Sequence, residues 1–239
     1  MKLTPPIAGA PGKPALVGMV HALALPGSPA WPLGGGAPRM QKILDQARRD
    51  AEALLDGGCD ALIVENMHDL PYLRGRVAPE TVAAMTLVTA AVVAFGRPTG
   101  VQVLAAANRE ALGVAVAAGA TFIRVEAFAY AHVADEGWLD ASAGELLRAR
   151  AALGADVAVW ADIKKKHSAH AVTARRRSSA GSAGTRPSAR AVATACTRAS
   201  AGNSRASAAT SRGISAAARS AGSAASALAS ASTIVSMAG

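Results

Sequence analysis

The sequence predicts an α/β protein of the (β/α)8 TIM-barrel type, incomplete here, with about five β/α units. Five apolar segments of strand length alternate with segments of helical periodicity within residues 1–174. Such alternation predicts a parallel sheet, because parallel neighbours need crossover connections, which helices provide. The predicted strands are nearly continuous apolar runs, as expected for strands buried on both faces. Their polar residues lie at the carboxyl ends, where barrels carry their chemistry.

The predicted strands are residues 15–21, 61–66, 100–104, 121–126 and 156–164, and the predicted helices are residues 41–56, 79–95, 108–119 and a stretch after Ser142. Pro79 suits a first helical position. Asn108 is the expected N-cap of the third helix, and Ser142 with Glu145 has capping-box spacing. The glycine-rich residues 34–38 are expected to form a loop or a mobile lid.

Residues 175–239 have a different composition. They contain 21 Ala, 15 Ser and nine Arg, with no Asp, Glu, Lys or aromatic residue. Such a segment buries too little apolar area to offset the entropy of ordering, so a disordered tail is expected, in which only the final TIVSM is strand-like. The abrupt change after Ala174 suggests a frame shift or a gene-model error in GC-rich coding sequence. Translating the other two frames after that codon would test this hypothesis.

The net charge of +9 lies wholly in that tail. Before Arg175 there are 16 Asp and Glu and 16 Lys and Arg, and 16 − 16 = 0. No nucleic-acid partner is therefore expected for the barrel part. Cys59 and Cys196 have no zinc or disulfide spacing, and we assign no metal and no cofactor. The start of the chain lacks an apolar signal region and no window is long enough to span a bilayer, so we expect a soluble cytoplasmic or organellar (mitochondrial or plastid) protein that is not secreted.

Four residues at strand ends are candidate catalytic groups. Asp162 and Lys164 share one side of the last strand, where they could exchange a proton or form a structural salt bridge. Glu65 could be a general base with a raised pKa, or a carboxylate tied to Lys164 or to a backbone amide. His21 could be an acid, a base or a phosphate donor, or a hydrogen-bonded structural residue.

Five further residues are candidate substrate-binding groups: Asn66, Asn108, Arg124, Glu126 and His167. Arg124 and Glu126 share one face of the fourth strand, so they could pair with each other or meet a sugar phosphate. His167 belongs to a short basic cluster that could attract an anionic substrate.

Six segments carry a resemblance to a known family: GMVHALALPGSP (18–29), DALIVENMHDLPY (60–72), PETVAAMT (79–86), AGATFIRVE (118–126), HVADEG (132–137) and DIKKKHSAHAVTA (162–174). Together they resemble the BtpA family. The resemblance implies an eight-stranded barrel similar to ribulose-phosphate-binding barrels. It also implies a relation to photosystem I assembly in cyanobacteria, whereas other members sit with sugar-metabolism genes.

The chain departs from the family in two places. Where many members have an Asn-Arg-Asn-Asp-like stretch, residues 105–110 read AAANRE, which leaves Asn108 as the nearest equivalent. The quoted motifs end at Ala174, so the resemblance implies that strands six to eight, and the phosphate grip of the last two loops, are missing. Asp162-x-Lys164 also looks like the start of the D-x-K-x-x-D pattern of phosphate-sugar decarboxylase barrels, although position 167 is His.

Three functions are consistent with these observations. The first is acid/base chemistry of the lyase or isomerase type on a phosphorylated sugar or a nucleotide-derived metabolite. The second is a non-enzymatic assembly or stability factor, acting as a homo-oligomer or within a larger complex. The third is a non-functional truncated product, because five strands would leave two unpaired sheet edges and an open core.

Overall fold

The computed structural model describes residue 7, residues 14–32, residue 34 and residues 36–164, 168–171 and 233–236. The elements in chain order are β1 Val17–His21, α1 Gly36–Asp56, β2 Ala61–Glu65, α2 Pro79–Val93, β3 Thr99–Gln102, α3 Asn108–Ala118, β4 Phe122–Val125, β5 His132–Ala134, β6 Gly137–Leu139, α4 Ala143–Ala152, β7 Ala158–Lys164, β8 Ser168–His170 and β9 Thr233–Ser236. His167 lies outside the described residues. So does the tail whose disorder is predicted, apart from β9.

Five strands form a parallel sheet in the order in which they follow one another along the chain, β1-β2-β3-β4-β7. A doubly wound sheet reverses its strand order at a switch point, and this sheet has no such reversal. Sequential parallel strands instead follow the order of a (β/α) barrel.

All four described helices pack on one face of this sheet. Buried residues of α1, α2, α3 and α4 form one hydrophobic cluster with alternate strand residues such as Val64, Val101 and Ile123. Helices on one face alone are the arrangement of a barrel wall, whose other face is the barrel interior. The described chain is therefore the front part of a (β/α) barrel, as the alternating pattern predicts.

The opposite, inner face carries its own apolar layer, formed by Ile7, Val17, Met19, Ala61, Ile63, Phe122 and Trp160. The rings of Phe122 and Trp160 stack with centroids 4.1 Å apart. Gly100 lies opposite Phe122 in the register, and a Cβ at Gly100 would overlap the Phe122 ring. Because Gly100 has no side chain, there is room for the Phe122 ring that stacks on Trp160.

The connection from β4 to α4 contains strands that the sequence analysis did not predict. It contains the antiparallel hairpin of β5 and β6, and β8 pairs with β5 to make a second, three-stranded sheet. Strands of three residues are too short to show a period of two, so sequence reasoning missed them.

The edge of the main sheet at β7 is also not open. Strand β9, from the strand-like end of the chain, pairs with β7 in the antiparallel direction. The expectation of two unpaired edges is therefore wrong at β7. Among the described residues β1 remains at the edge of its sheet.

Three helix starts correct the sequence analysis. Helix α1 begins at Gly36, inside the segment expected to be a loop or lid. Asn108 is the first helical residue of α3, after Ala107, and does not cap it. Ser142 occupies the N-cap position of α4, but its side chain makes no capping hydrogen bond. In the last two cases tertiary partners of the side chains compete with the local cap.

Gly100→Ala is expected to lower the free energy of unfolding by about 1–3 kcal/mol, because the added methyl group must displace the Phe122 ring. Gly113→Ala is the matched control, since Gly113 lies in α3 and a methyl group added there would have no neighbouring atom within 4 Å. This control should raise stability by about 0.5–1 kcal/mol. Urea unfolding of the three proteins tests both values, and equal effects of the two substitutions would contradict the packing described for Phe122.

Candidate functional site

Four polar side chains occupy one register row across adjacent strands of the inner face. His21 pairs with Glu65, Glu65 with Gln102, and Gln102 lies opposite Arg124, one residue beyond the Val101–Ile123 pair. Because parallel strands in register place matched side chains on the same face, these four residues form a line, here called the inner polar row. It lies at the carboxyl ends of β1 to β4, above the apolar inner layer.

Arg124 connects this row to β7. Its Nε and Nη2 donate to Oδ1 and Oδ2 of Asp162 over 2.9 and 3.1 Å, and its Nη1 lies 3.9 Å from Oε1 of Glu65. Arg124, Asp162 and Glu65 are all buried. Burial by itself disfavours the charged guanidinium, but the pKa of Arg124 is raised because Asp162 and Glu65 outweigh that penalty. Two charge-assisted hydrogen bonds fix the planar guanidinium in one orientation.

His21 lies at the more open end of the row. Its Nε2 is 3.4 Å from Oε2 of Glu65, and its side chain is 30% exposed. The ring of His68 meets it edge to face, with centroids 6.5 Å apart. Burial lowers the pKa of His21, the charge of His68 lowers it further, and Asp50 opposes both. At neutral pH His21 is therefore an uncharged imidazole, able to accept or donate a proton.

Asn66, the residue after Glu65, links the loops that follow three strands. Its Oδ1 accepts a hydrogen bond of 2.7 Å from the backbone N–H of Leu104, and its Nδ2 donates to Oδ2 of Asp69 over 3.3 Å. Asp69 in turn accepts from the N–H of Leu25. Burial raises the pKa of Asp69, although these hydrogen bonds act against the rise. Asn66 therefore positions the loops that follow β1, β2 and β3.

Asn108 and Glu126 form a second linkage. Oε2 of Glu126 accepts a 2.6 Å hydrogen bond from the N–H of Ala106, and Nδ2 of Asn108 donates to the carbonyl of Glu126 and to Oγ of Ser142. Ala106 and Ala127 have φ values of 55° and 47°, in the left-handed region. Such conformations cost about 1–2 kcal/mol for a residue with a Cβ and are typical of functional loops.

These contacts bring most of the predicted site residues together and correct one pairing. The salt bridge expected between Arg124 and Glu126 is wrong, because Arg124 pairs with Asp162 and Glu65 while Glu126 binds a backbone amide. The side chain of Lys164 and all of His167 lie outside the described residues. The pairing of β7 with β9 shifts register between Asp162 and Lys164.

Sequence reasoning missed two residues of the inner face. Oε1 of Gln102 and Nε1 of Trp160 are buried and have no hydrogen-bond partner among the described residues. Gln102 carries a signal similar to that of the others, a polar residue near the end of an apolar strand, but the predicted strand continues past it to Leu104. Buried polar atoms without partners are rare, and the described part of the chain leaves both of these unsatisfied.

Two cavities lie among the loops that follow the strands, with volumes of about 630 and 220 Å³. Asn108 lines the larger and Asn66 the smaller, whereas His21, Glu65, Arg124 and Asp162 line neither. Within the described part of the chain, no three His, Cys, Asp or Glu side chains are grouped so that they could hold a metal ion. Together with Asp162, the row offers a fixed cation, buried carboxylates and a neutral imidazole.

Asp162→Ala should lower the free energy of unfolding by about 3–5 kcal/mol, because it leaves a buried guanidinium without its main partner. Asp156→Ala is the control, since Asp156 is exposed just before β7 and should change stability by less than about 0.5 kcal/mol. Urea unfolding gives both values. Comparable small losses would mean that the Arg124–Asp162 pair is not a stabilising element of the sheet.

Comparison with known proteins agrees with this architecture. The sequence profile of the BtpA family matches residues 12–232, a range that continues beyond Ala174, the last residue of the motifs quoted above. No solved structure matches the chain.

Individual relatives match a shorter part of the chain. An uncharacterised mitochondrial protein of Caenorhabditis elegans is 48% identical over 168 residues, which is 67% of this chain and 59% of the relative. The photosystem I biogenesis protein BtpA of Synechocystis is 40% identical over 156 residues, which is 64% of this chain and 52% of the relative. A putative sgc region protein of Escherichia coli is 39% identical over 142 residues, which is 59% of this chain and 51% of the relative.

The chain thus spans between about half and three fifths of the length of these relatives. The family profile covers most of the chain, and the parallel strands with one-sided helices fit a barrel. The chain belongs to the BtpA family.

Proposed function

We propose that the inner polar row binds a small phosphorylated sugar or nucleotide-derived metabolite and carries out acid/base chemistry of the isomerase or lyase type. The observation that carries this proposal is the convergence of His21, Glu65, Arg124 and Asp162 at the carboxyl end of one sheet. Two buried polar groups without described partners, on Gln102 and Trp160, support a bound molecule at the same place.

The geometry suggests a role for each group. Glu65 or the neutral His21 removes a proton from a carbon next to a carbonyl, and the pair can pass that proton between them because they lie 3.4 Å apart. The cationic Arg124 stabilises the oxyanion that develops on the carbonyl oxygen. Asp162 acts as a positioning residue, since both its oxygens hold Arg124. Returning the proton to the former carbonyl carbon, while the hydroxyl proton of the deprotonated carbon passes to the former carbonyl oxygen, completes an isomerisation.

Exchange of substrate hydrogen with solvent tests this proposal without knowledge of the natural substrate. The full chain is incubated in deuterium oxide with a panel of pentose and hexose phosphates, and loss of the proton signal next to the carbonyl is followed by NMR. We expect exchange with at least one sugar phosphate and a loss of about 100-fold or more in Glu65→Gln, because the carboxylate base is removed. Gln102→Leu should weaken binding of the same compound while exchange persists at saturation.

Glu80→Gln is the control for that experiment, because Glu80 is an exposed carboxylate in the first turn of α2 and lies outside the row. Its exchange rate should equal that of the unaltered chain. Equal rates in Glu65→Gln and in the unaltered protein, or no exchange with any member of the panel, would rule out the proposed chemistry.

The lowered pKa of His21 also predicts a pH effect on stability. The unfolded state protonates His21 near its ordinary value of 6.5, while the folded state resists protonation. The stabilising contribution of the uncharged His21 is therefore fully present above pH 6.5. It is lost as the pH falls from 6.5 towards the lower pKa that His21 has in the folded state. Urea unfolding between about pH 7.5 and about pH 5.5 should show a smaller loss of stability in His21→Gln than in the unaltered chain. Parallel curves would contradict the pKa shift.

A second candidate function rests on the name of one relative and on exposed apolar residues. The Synechocystis relative is named a photosystem I biogenesis protein. On the outer helices of this chain, Leu87, Leu147 and Leu153 are 52%, 45% and 55% exposed. We propose as the alternative a non-enzymatic assembly or stability factor that uses this outer surface as a homo-oligomer or in a complex. Partner binding that survives Glu65→Gln, together with absence of exchange, would favour it.

A location in an organelle is likewise proposed from similarity alone, because the nematode relative is named mitochondrial. In the described part of the chain, no helix has both the length and the apolar character needed to cross a membrane. Fractionation of cells that express the full chain would test the location.

A further inference from the structure

We propose that the larger cavity, among the loops that follow β2, β3 and β6, is a separate subsite for the phosphate group of a small phosphorylated ligand. Its volume of about 630 Å³ is within the range of small-molecule sites. Three segments surround it: the connection from β2 to α2, the start of α3, and the stretch from β6 to α4. In the barrels to which this chain is similar, phosphate is held by the last two loops, so this position is a different one.

Three arginines line this cavity. Arg74 and Arg76 come from the connection between β2 and α2, and Arg109 comes from the first turn of α3, and all three line the cavity. None of them forms an ion pair or a side-chain hydrogen bond with a residue that the structure describes. Unpaired guanidinium groups with their five donors are suited to bidentate contacts with phosphate oxygens.

The loop that carries two of these arginines is fixed. The N–H of Gly75 donates to the carbonyl of Ala105 over 2.8 Å, and the N–H of Ala105 donates to the carbonyl of Leu73 over 3.1 Å. This pair of backbone hydrogen bonds ties Arg74 and Arg76 to the loop after β3. The backbone that carries Arg74 and Arg76 is therefore held in place at the cavity.

The side-chain charges of the cavity balance, and two helix starts add positive potential. Its lining includes three carboxylates, Glu110, Asp140 and Glu145, so the formal side-chain charges give 3 − 3 = 0. Glu110 and Glu145 lie in the first turns of α3 and α4, and neither helix has a side-chain cap. Each helix start adds roughly half a positive charge, which brings the total to about +1. Asp140 is engaged separately, because it accepts a 3.0 Å hydrogen bond from Nε1 of Trp138.

Trp138 supplies the apolar contact. Its side chain lines the cavity and is 49% exposed, and the hydrogen bond to Asp140 restrains its ring. An exposed indole face packs well against a sugar ring or a nucleobase. The ligand class that fits the cavity is therefore a phosphomonoester with a ring-shaped body, either a sugar phosphate or a nucleoside monophosphate.

The cavity is connected to the inner polar row through Glu126. Ala106 lines the cavity, and its N–H donates to Glu126, which interacts electrostatically with Arg124. One ligand could thus place its phosphate in the cavity and its reacting end at the row. That combined arrangement rests on the proposed function, whereas phosphate binding in the cavity does not.

Calorimetric titration of the full chain at low salt tests the subsite with ribose 5-phosphate, ribose and adenosine monophosphate as probes. We expect ribose 5-phosphate to bind at least about tenfold more tightly than ribose, and the double variant Arg76→Met/Arg109→Met to remove that preference. Arg97→Met is the matched control, since Arg97 is an exposed arginine outside the cavity, and it should leave binding unchanged. Unchanged thermal unfolding of the variants shows that they remain folded.

Trp138→Leu separates the two ligand sources. A larger loss of affinity for adenosine monophosphate than for ribose 5-phosphate identifies the nucleotide as the better fit, and the reverse identifies the sugar phosphate. Equal binding of ribose and ribose 5-phosphate, equal affinities of the double variant and the unaltered chain, or no binding of either phosphate probe would overturn the subsite. Arginine-dependent binding without solvent exchange would disprove the proposed chemistry and leave the subsite standing.

Discussion

The guanidinium of Arg124 lies buried between the carboxylates of Asp162 and Glu65, and the inner face of the sheet is organised around it. Removing a guanidinium from water costs several kcal/mol, and only well-placed partners recover that cost. Asp162 sits on β7, the neighbour of β4, and Glu65 sits on β2, two strands away on the other side, so the ion cluster links three strands of the sheet. Register errors in any of the three strands would separate the charges, which makes this cluster a constraint on the whole sheet.

Successive side chains of each strand point to opposite faces of the sheet, so the two faces carry different residues. Residues such as Val64 and Ile123 face the helices and make the larger apolar cluster. Their neighbours along the strands face inward, first as an apolar layer that includes Ile63 and Phe122, then as the inner polar row. The apolar layer supports the polar row from beneath. Side chains at the row are thereby held at the end of the sheet where the loops bring their own groups.

The loops add what the strands lack. Asn66 and Asn108 are buried, and their amide groups form hydrogen bonds that connect the loops. Each of them also lines one of the two cavities. The strands thus provide carboxylates, an imidazole and a buried cation, while the loops provide exposed arginines and an indole. Membership of the BtpA family is consistent with either a metabolic or an assembly role. The polar row favours the first role, and the exposed leucines of the helices favour the second.

The fold class could be predicted from the sequence, because each apolar strand and each amphipathic helix shows its pattern within consecutive residues. The candidate residues His21, Glu65, Arg124 and Asp162 could also be chosen from the sequence. Functional groups lie at the carboxyl ends of parallel strands, and those ends can be located without knowing any contact.

Only the tertiary structure decided which partners these residues have. Arg124 pairs with Asp162 and Glu65 because two carboxylates on other strands lie nearer to it than Glu126 does. Asn108 and Ser142 bind each other across 34 positions of sequence instead of capping their own helices. The side-chain types and their places along the chain are written in the sequence, but pairing depends on strand register and loop packing, which arise from contacts between residues far apart in it.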